Sequence, residues 1–286
     1  MKTYVVEGGV GKCLAFSALV DDLAKQDEGN VQIYTPYHEV FGNNPKVKMV
    51  FDSQTIPLTD NRITNCEDII FCEPYKSKFI CGGIHLIESY CNLLGIKYRE
   101  EMRPKMFTDH VRKDVDAMLD KGAIKRRYVL VQFSGGQPYI GYHQGAQYSN
   151  GDMGRNYHPY LAQQLVNQLL EDDKNRDVIQ FALPNEPILH GVKTITSGLA
   201  GWHEVAKNSE GFIGIDSCLN HFAPSAGIKG VVLWGSTRFN QYGYPENKNL
   251  NAYCEDKWQE EGFSPLDPRN MMIDPIRVFK LYKDMQ

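Results

Sequence analysis

A chain of 286 residues with 42% hydrophobic and 23% charged residues has the material for two ordinary α/β domains with real cores. Its formal net charge of −4 excludes a global electrostatic drive toward nucleic acid and leaves only a local patch for that purpose. The seven cysteines (Cys13, Cys66, Cys72, Cys81, Cys91, Cys218, Cys254) are odd in number and form no C-x-x-C pair, which argues for reduced thiols over a disulfide framework or a zinc site. No apolar run approaches the ~20 residues of a spanning helix. The first residues enter a strand and a glycine turn without a secretory h-region, so a cytoplasmic location is expected.

Thr3 to Val6 is a short β-type run. Glu7-Gly8-Gly9-Val10-Gly11-Lys12 is a glycine-rich turn, and residues 14–25 carry helical periodicity through Leu14, Ala18, Leu19 and Leu23. This strand–turn–helix opening has several readings. It is close to a deviant Walker loop, but Cys13 stands where Ser or Thr would hold Mg²⁺, and a thiol is a poor ligand for that ion. As a dinucleotide fingerprint it lacks the third glycine. It also fits a turn that lets a substrate approach the backbone in a cleft, or a tight turn with no ligand.

Strands follow at 31–35, 47–51 and 69–71, in an order that suggests a parallel sheet. Residues 85–95 read as a helix with Gly95 as its C-terminal cap, placing His85, Glu88 and Asn92 on one side. The stretch 97–127 is rich in Lys and Arg interleaved with acids. A second set of elements starts with the strand 128–133, which ends in Ser134-Gly135-Gly136. The polar stretch 138–154 reads as a loop covering a site. Arg155 and Tyr157 precede a helix over 160–171. The strand 178–183 runs into Pro184-Asn185-Glu186, and another helix spans 201–209.

The most informative stretch is 210–243. Phe212 to Ile215 reads as a buried strand, Asp216-Ser217 opens a helix, and Gly230 to Trp234 is the next strand. A βαβ unit of this kind gathers small and polar residues at the carboxyl ends of its strands, where open α/β sheets bind ligands. A helix N-terminus there can meet a diphosphate.

The chain resembles the heptosyltransferase-type glycosyltransferases (glycosyltransferase family 9), particularly short versions of phage type. Gly214-Ile215-Asp216-Ser217-Cys218-Leu219-Asn220-His221-Phe222-Ala223 looks like the family's diphosphate motif, Gly-x-Asp-Ser/Thr-Gly-x-x-His-x-Ala. Val231 to Thr237 looks like the strand that follows it. The resemblance implies an α/β protein of two Rossmann-like domains facing across a cleft, the GT-B fold. The expected division is 1–124 on the acceptor side, 125–262 on the donor side, and a C-terminal segment 263–286 whose helix returns to the first domain.

The resemblance further implies a metal-independent transfer with no cofactor, from a nucleoside-diphosphate sugar to a hydroxyl. Asp216, Ser217, Cys218, Asn220 and His221 would form the phosphate cradle, with Asp216 shaping the turn. Arg155 would neutralise diphosphate charge, and Tyr157, the aromatic after it, would also contact the donor. Glu186 would hold ribose hydroxyls, and Ser134 would border the donor. Gly8, Gly9 and Gly11 match the family's N-terminal glycine turn. Lys12 stands where the family carries an aspartate as its general base, and Cys218 replaces a glycine. A charged Lys12 would stabilise the leaving diphosphate, and the base would come from Glu7, Glu88, His85 or His38. The acceptor is not written in the sequence; a glycan such as lipopolysaccharide is one option and a hydroxymethylated phage DNA base another, for which 97–127 would supply backbone contacts. A non-catalytic nucleotide-sugar-binding protein and a deviant Walker ATPase are the competing functions.

Overall fold

The computed structural model describes residues 1–121, 124–135, 140–143, 146–149, 155–182, 186, 188–235, 237–251 and 271–286. The first half runs β1 (Lys2–Val5), α1 (Val10–Ser17), α2 (Val20–Gln26), β2 (Val31–Thr35), β3 (Met49–Asp52), α3 (Asn61–Thr64), β4 (Asp68–Phe71), α4 (Ser77–Ile80), α5 (Leu86–Leu94) and α6 (Arg112–Asp120). Its four strands pair in parallel in the order β3-β2-β1-β4. The apolar runs explain this, because a strand such as β2, buried at every position, needs cover on both faces.

The second half runs β5 (Tyr128–Gln132), β6 (Ile140–His143), β7 (Ala146–Ser149), α7 (Pro159–Asp172), β8 (Asp177–Gln180), α8 (Leu199–Lys207), β9 (Phe212–Ile215), α9 (Cys218–Ala226), β10 (Gly230–Trp234), α10 (Phe239–Tyr242), β11 (Lys248–Asn251) and a terminal helix Pro275–Lys283. Five of its strands form a second parallel sheet, β11-β10-β9-β5-β8. The expected loop 138–154 contains a hairpin of β6 and β7, and its other residues lie outside the described ones.

Each sheet reverses direction beside its first strand. In the first, the chain builds outward from β1 through β2 and β3, then places β4 on the other side of β1. In the second, β8 adds to one side of β5 and β9 to the other. Crevices at such reversals, outside the carboxyl ends of the strands, are where doubly wound sheets take ligands.

One continuous apolar cluster joins the halves. It includes Tyr4, Phe16 and Tyr90 from the first and Trp202, Phe222 and Trp234 from the second, all buried. Polar groups fix how the halves meet. Glu39 of the first half accepts a hydrogen bond from Ala200 N (2.9 Å) and so caps α8. Gly198, at the helix start, permits this: a Cβ there would lie 2.8 Å from the carboxylate. Thr108 donates to Glu204 (2.8 Å) and meets His203 Nδ1 (2.9 Å), while His203 Nε2 meets Ser225 Oγ (2.7 Å). Arg103 binds Glu246 through Nε at 2.8 Å.

The terminal helix does not return to the first domain as expected. It packs on α7 and β10, with Val278 and Tyr282 in the apolar cluster on the outer face of the second sheet. Its amphipathic stripe finds the exposed side of α7, and Lys283 bonds Asp172 at the end of that helix (2.9 Å). Val278→Asp would bury an unpaired carboxylate there and is expected to destabilise the protein by several kcal/mol. A lowered urea midpoint checks this, and a wild-type midpoint would contradict the packing.

Candidate active site in the interdomain cleft

The two crevices face one another. From the first half come the turn after β1 and the start of α1, and from the second the ends of β5 and β9 and the start of α9. Together they line a cavity of ≈ 380 Å³ that Gly9, Gly11, Lys12, Arg155, Asp216 and Ser217 border. A larger cavity of ≈ 530 Å³ lies between α7 and the start of the terminal helix. Its one charged lining residue, Asp274, is already used as that helix's N-cap.

Both helix starts point into the cleft. Gly9 is the N-cap of α1 and Ser217 that of α9, both with extended backbone. Gln132, buried at the end of β5, accepts from Leu219 N (3.0 Å), which fixes α9 against the sheet. The first N–H groups of a helix lack intrahelical partners and carry its positive dipole end. Two such ends therefore converge from opposite walls. The approach is close because Gly11 has no side chain: a Cβ there would lie 2.8 Å from His221 Cδ2. Gly135 plays the same part within the second half, where a Cβ would lie 2.5 Å from Ser217 Oγ.

The charged groups are arranged by wall. On the second-domain wall, Arg155 Nη1 lies 3.8 Å from Asp216 Oδ2. On the first-domain wall, Lys12 Nζ sits 3.9 Å over the Tyr75 ring and 3.2 Å from Glu73 Oε2. Tyr75 and Tyr242, one from each half, line the cavity beside these charges, and Phe79 stacks on the first ring and meets the second edge-on. Asn220, fully buried, donates to Tyr242 O (3.0 Å) and holds α10 in place.

The residues expected from sequence fall in different places. Gly9, Gly11, Lys12, Arg155, Asp216, Ser217, Cys218 and His221 line the cleft. Gly8, with φ +100, shapes the turn beneath the Lys12 side chain. Asn220 supports the wall from behind. Ser134 precedes the cleft-lining Gly135 without lining it. Glu186 lies near enough to Cys218 for its charge to add to the burial that pushes that thiol up to about 12.

Other expectations need correction. Tyr157 is a core residue, packed on Phe133 and donating to Ile273 O (2.8 Å), so it anchors the segment before the terminal helix and does not touch a donor. His85 is the N-cap of α5: its Nδ1 accepts from Ile87 N (3.2 Å) and its Nε2 donates to Gly243 O (3.1 Å). With both nitrogens engaged it is a strut between domains, not a base. Glu88, one turn into α5, does not line the cavity. Glu7 lies near Tyr34, which packs on the outer face of the first sheet. His38 borders a neighbouring cavity of ≈ 350 Å³, with Nδ1 3.9 Å from Asp52 Oδ2. Cys13 is buried 3.2 Å from Thr35 Oγ1 and faces the core, so a Walker-type Mg²⁺ site has no ligand at that position. Sequence reading missed Gln132, Tyr75, Thr237, Tyr242 and Glu73. The strand-end positions of Gln132 and Glu73 were the available signal.

Among the described residues no group of three or more His, Cys, Asp or Glu side chains is gathered to hold a metal ion. No described helix is long and apolar enough to cross a membrane.

No protein-family model matches the sequence, and no curated protein does. Solved structures do match. A family 9 glycosyltransferase from Veillonella parvula aligns over 99% of this chain and 96% of its own, with TM-score 0.72 at 11% identity. The E. coli ADP-heptose lipopolysaccharide heptosyltransferase II aligns over 100% and 98%, with TM-score 0.70 at 11% identity. The chain has the GT-B fold of these proteins. E. coli heptosyltransferase WaaC, solved with ADP, is also similar, with TM-score 0.62 at 10% identity over the full length of both chains. The expected fold class, two facing Rossmann-like domains, is therefore the observed one.

Gly11→Ala should force α1 away from His221, whose ring cannot swing freely because Nδ1 is bonded to Tyr244 Oη (2.9 Å). A lower melting temperature and weaker nucleotide binding are expected, and a variant indistinguishable from wild type would contradict the contact. Burial holds the His85 and His203 imidazoles down to about 4 and His221 down to about 3. The unfolded chain takes up these protons near pH 6.5 while the folded one does not until about pH 4. Stability is thus full above pH 7 and falls as pH drops, by up to ~4 kcal/mol per pH unit from three such groups. His203→Gln should reduce the slope of urea stability between pH 6 and 5 by about a third, and an unchanged slope would contradict the burial.

Proposed function

We propose that this chain is a glycosyltransferase that moves a sugar from a nucleoside-diphosphate sugar to an acceptor hydroxyl without a metal ion. The observation that carries this reading is the convergence of two helix N-termini with Arg155 and Lys12 around one cavity, at the chain reversals of both sheets. A leaving diphosphate accumulates negative charge as the glycosidic bond breaks. Fixed donors aimed at that charge stabilise the transition state without reorganising. The start of α9 and Arg155 would bind the phosphates, and Lys12 would meet them from the opposite wall. Arg155 suits the task because its forked donors match phosphate oxygens. Asp216, buried beside Arg155, would orient that guanidinium and shape the turn while staying off the phosphate, since like charges repel.

A glycan-type acceptor fits better than DNA. Most of the basic residues of 97–127 are paired with acids, among them Arg99 with Asp22, Arg103 with Glu246, Lys105 with Asp21, and Arg127 with Asp173 and Glu210. Such pairing leaves little excess positive charge for the phosphate contacts that nucleic-acid binding needs.

A thermal-shift panel of nucleotide sugars with and without EDTA tests the reading. Stabilisation by one donor, unchanged by chelation, is expected, whereas stabilisation by ATP alone and only with Mg²⁺ would overturn it. Arg155→Ala should weaken binding of the corresponding nucleoside diphosphate by roughly 10–100-fold, the worth of a hydrogen bond to a charged group. Unchanged affinity would remove Arg155 from the site.

A further inference from the structure

Transfer to a hydroxyl requires something to take the hydroxyl proton. The reversal in the first sheet sets β4 beside β1 with Val5 opposite Phe71, so the segments after both strands leave the same edge together. One is the Gly8–Lys12 turn, and the other is Glu73-Pro74-Tyr75. Glu73 is held there by three contacts: Lys12 Nζ donates to Oε2 at 3.2 Å and Oε1 at 3.3 Å, and Tyr75 N donates to Oε1 at 3.0 Å. Its side chain is nevertheless 60% exposed, at the rim of the cleft that Lys12 and Tyr75 line. Asp216, His85 and His221, which lie at or beside the cleft, are engaged elsewhere: Asp216 with Arg155, both His85 nitrogens with backbone, and His221 with Tyr244 and the Gly11 contact.

We propose that Glu73 is the general base, oriented by Lys12 and Tyr75 N. The inference rests on the glycosyltransferase reading. The acceptor O–H gives its proton to a Glu73 carboxylate oxygen as the electron pair of that O–H bond becomes available to the acceptor oxygen. That oxygen bonds to the anomeric carbon, and the carbon–oxygen bond to the diphosphate breaks with its electron pair leaving on the diphosphate. Lys12 serves both partners. It aligns the carboxylate before reaction and lies within the same cavity as the phosphate-binding wall. The acid thus acts from the neighbouring strand end, while the helix start carries the cation.

Donor hydrolysis, with water as the acceptor, tests this without knowledge of the natural acceptor. ADP-heptose, UDP-glucose, GDP-mannose and dTDP-rhamnose are supplied to wild type, Glu73→Gln and His38→Ala, and release of the nucleoside diphosphate is followed across pH. Glu73→Gln should lower the rate roughly 10²–10⁴-fold, the range for loss of a positioned base. It should also abolish the acid limb of the pH profile, leave the Kd of the nucleoside diphosphate unchanged, and regain part of its rate as Glu73→Asp. Wild-type rate and pH profile in Glu73→Gln, or a loss confined to His38→Ala, would overturn the assignment while leaving the transferase reading intact. Failure of wild type to bind or hydrolyse any of the four would instead overturn the transferase reading and the base with it.

Discussion

The contact between Gly11 and His221 is the constraint on which the cleft depends. Two helices from separate domains start within a Cβ's reach of each other, and only the missing side chain at Gly11 allows it. Bringing two positive dipole ends together is electrostatically unfavourable unless an anion sits between them. The apolar cluster that runs through both halves, the Glu39 cap on α8 and the Thr108–His203–Glu204 network hold the helices there regardless. The stability of the interface thus maintains an arrangement that an anionic ligand would relieve.

The two walls of the cleft differ in how they treat charge. On the second domain the cation and the acid are both largely buried, and Gln132 and Asn220 fix the backbone around them. That wall is built to present one geometry. On the first domain the Lys12–Glu73 pair sits at the rim, with the acid open to solvent. An exposed pair of this kind adds little to stability. Its position over the Tyr75 ring is better understood as keeping a cation and a carboxylate within reach of the cavity. Tyr75 and Tyr242 line the cavity from the two walls, so a ligand entering the cleft meets groups from both domains at once.

The second-domain wall of the cleft was legible in the sequence because its signal is local. Uninterrupted apolar runs at 212–215 and 230–234 bracket Asp216 and the α9 start, and a βαβ unit fixes where such residues fall. Glu73 was not legible. It follows a short strand with two exposed positions, and its place at the cleft rim comes from that strand pairing with β1, a contact some 66 residues apart in the chain. The terminal helix shows the same limit: Val278, Phe279 and Tyr282 announce one buried face, but not that α7 would cover it. Tyr157 and His85 were misjudged because an aromatic or an imidazole near a charged turn looks alike whether it faces a ligand or a backbone carbonyl. Glu39 gave no signal, since a helix cap supplied from another domain leaves no spacing in the sequence.

The central claim is that one ligand phosphate group is held between α1 and α9. Amide NMR shifts, followed while a nucleoside diphosphate is titrated into the full chain, measure this most directly. Val10 and Gly11 on one wall and Ser217 and Cys218 on the other are expected to move together, with a common Kd and no dependence on added metal. Shifts confined to one wall, or appearing only when Mg²⁺ is present, would contradict it.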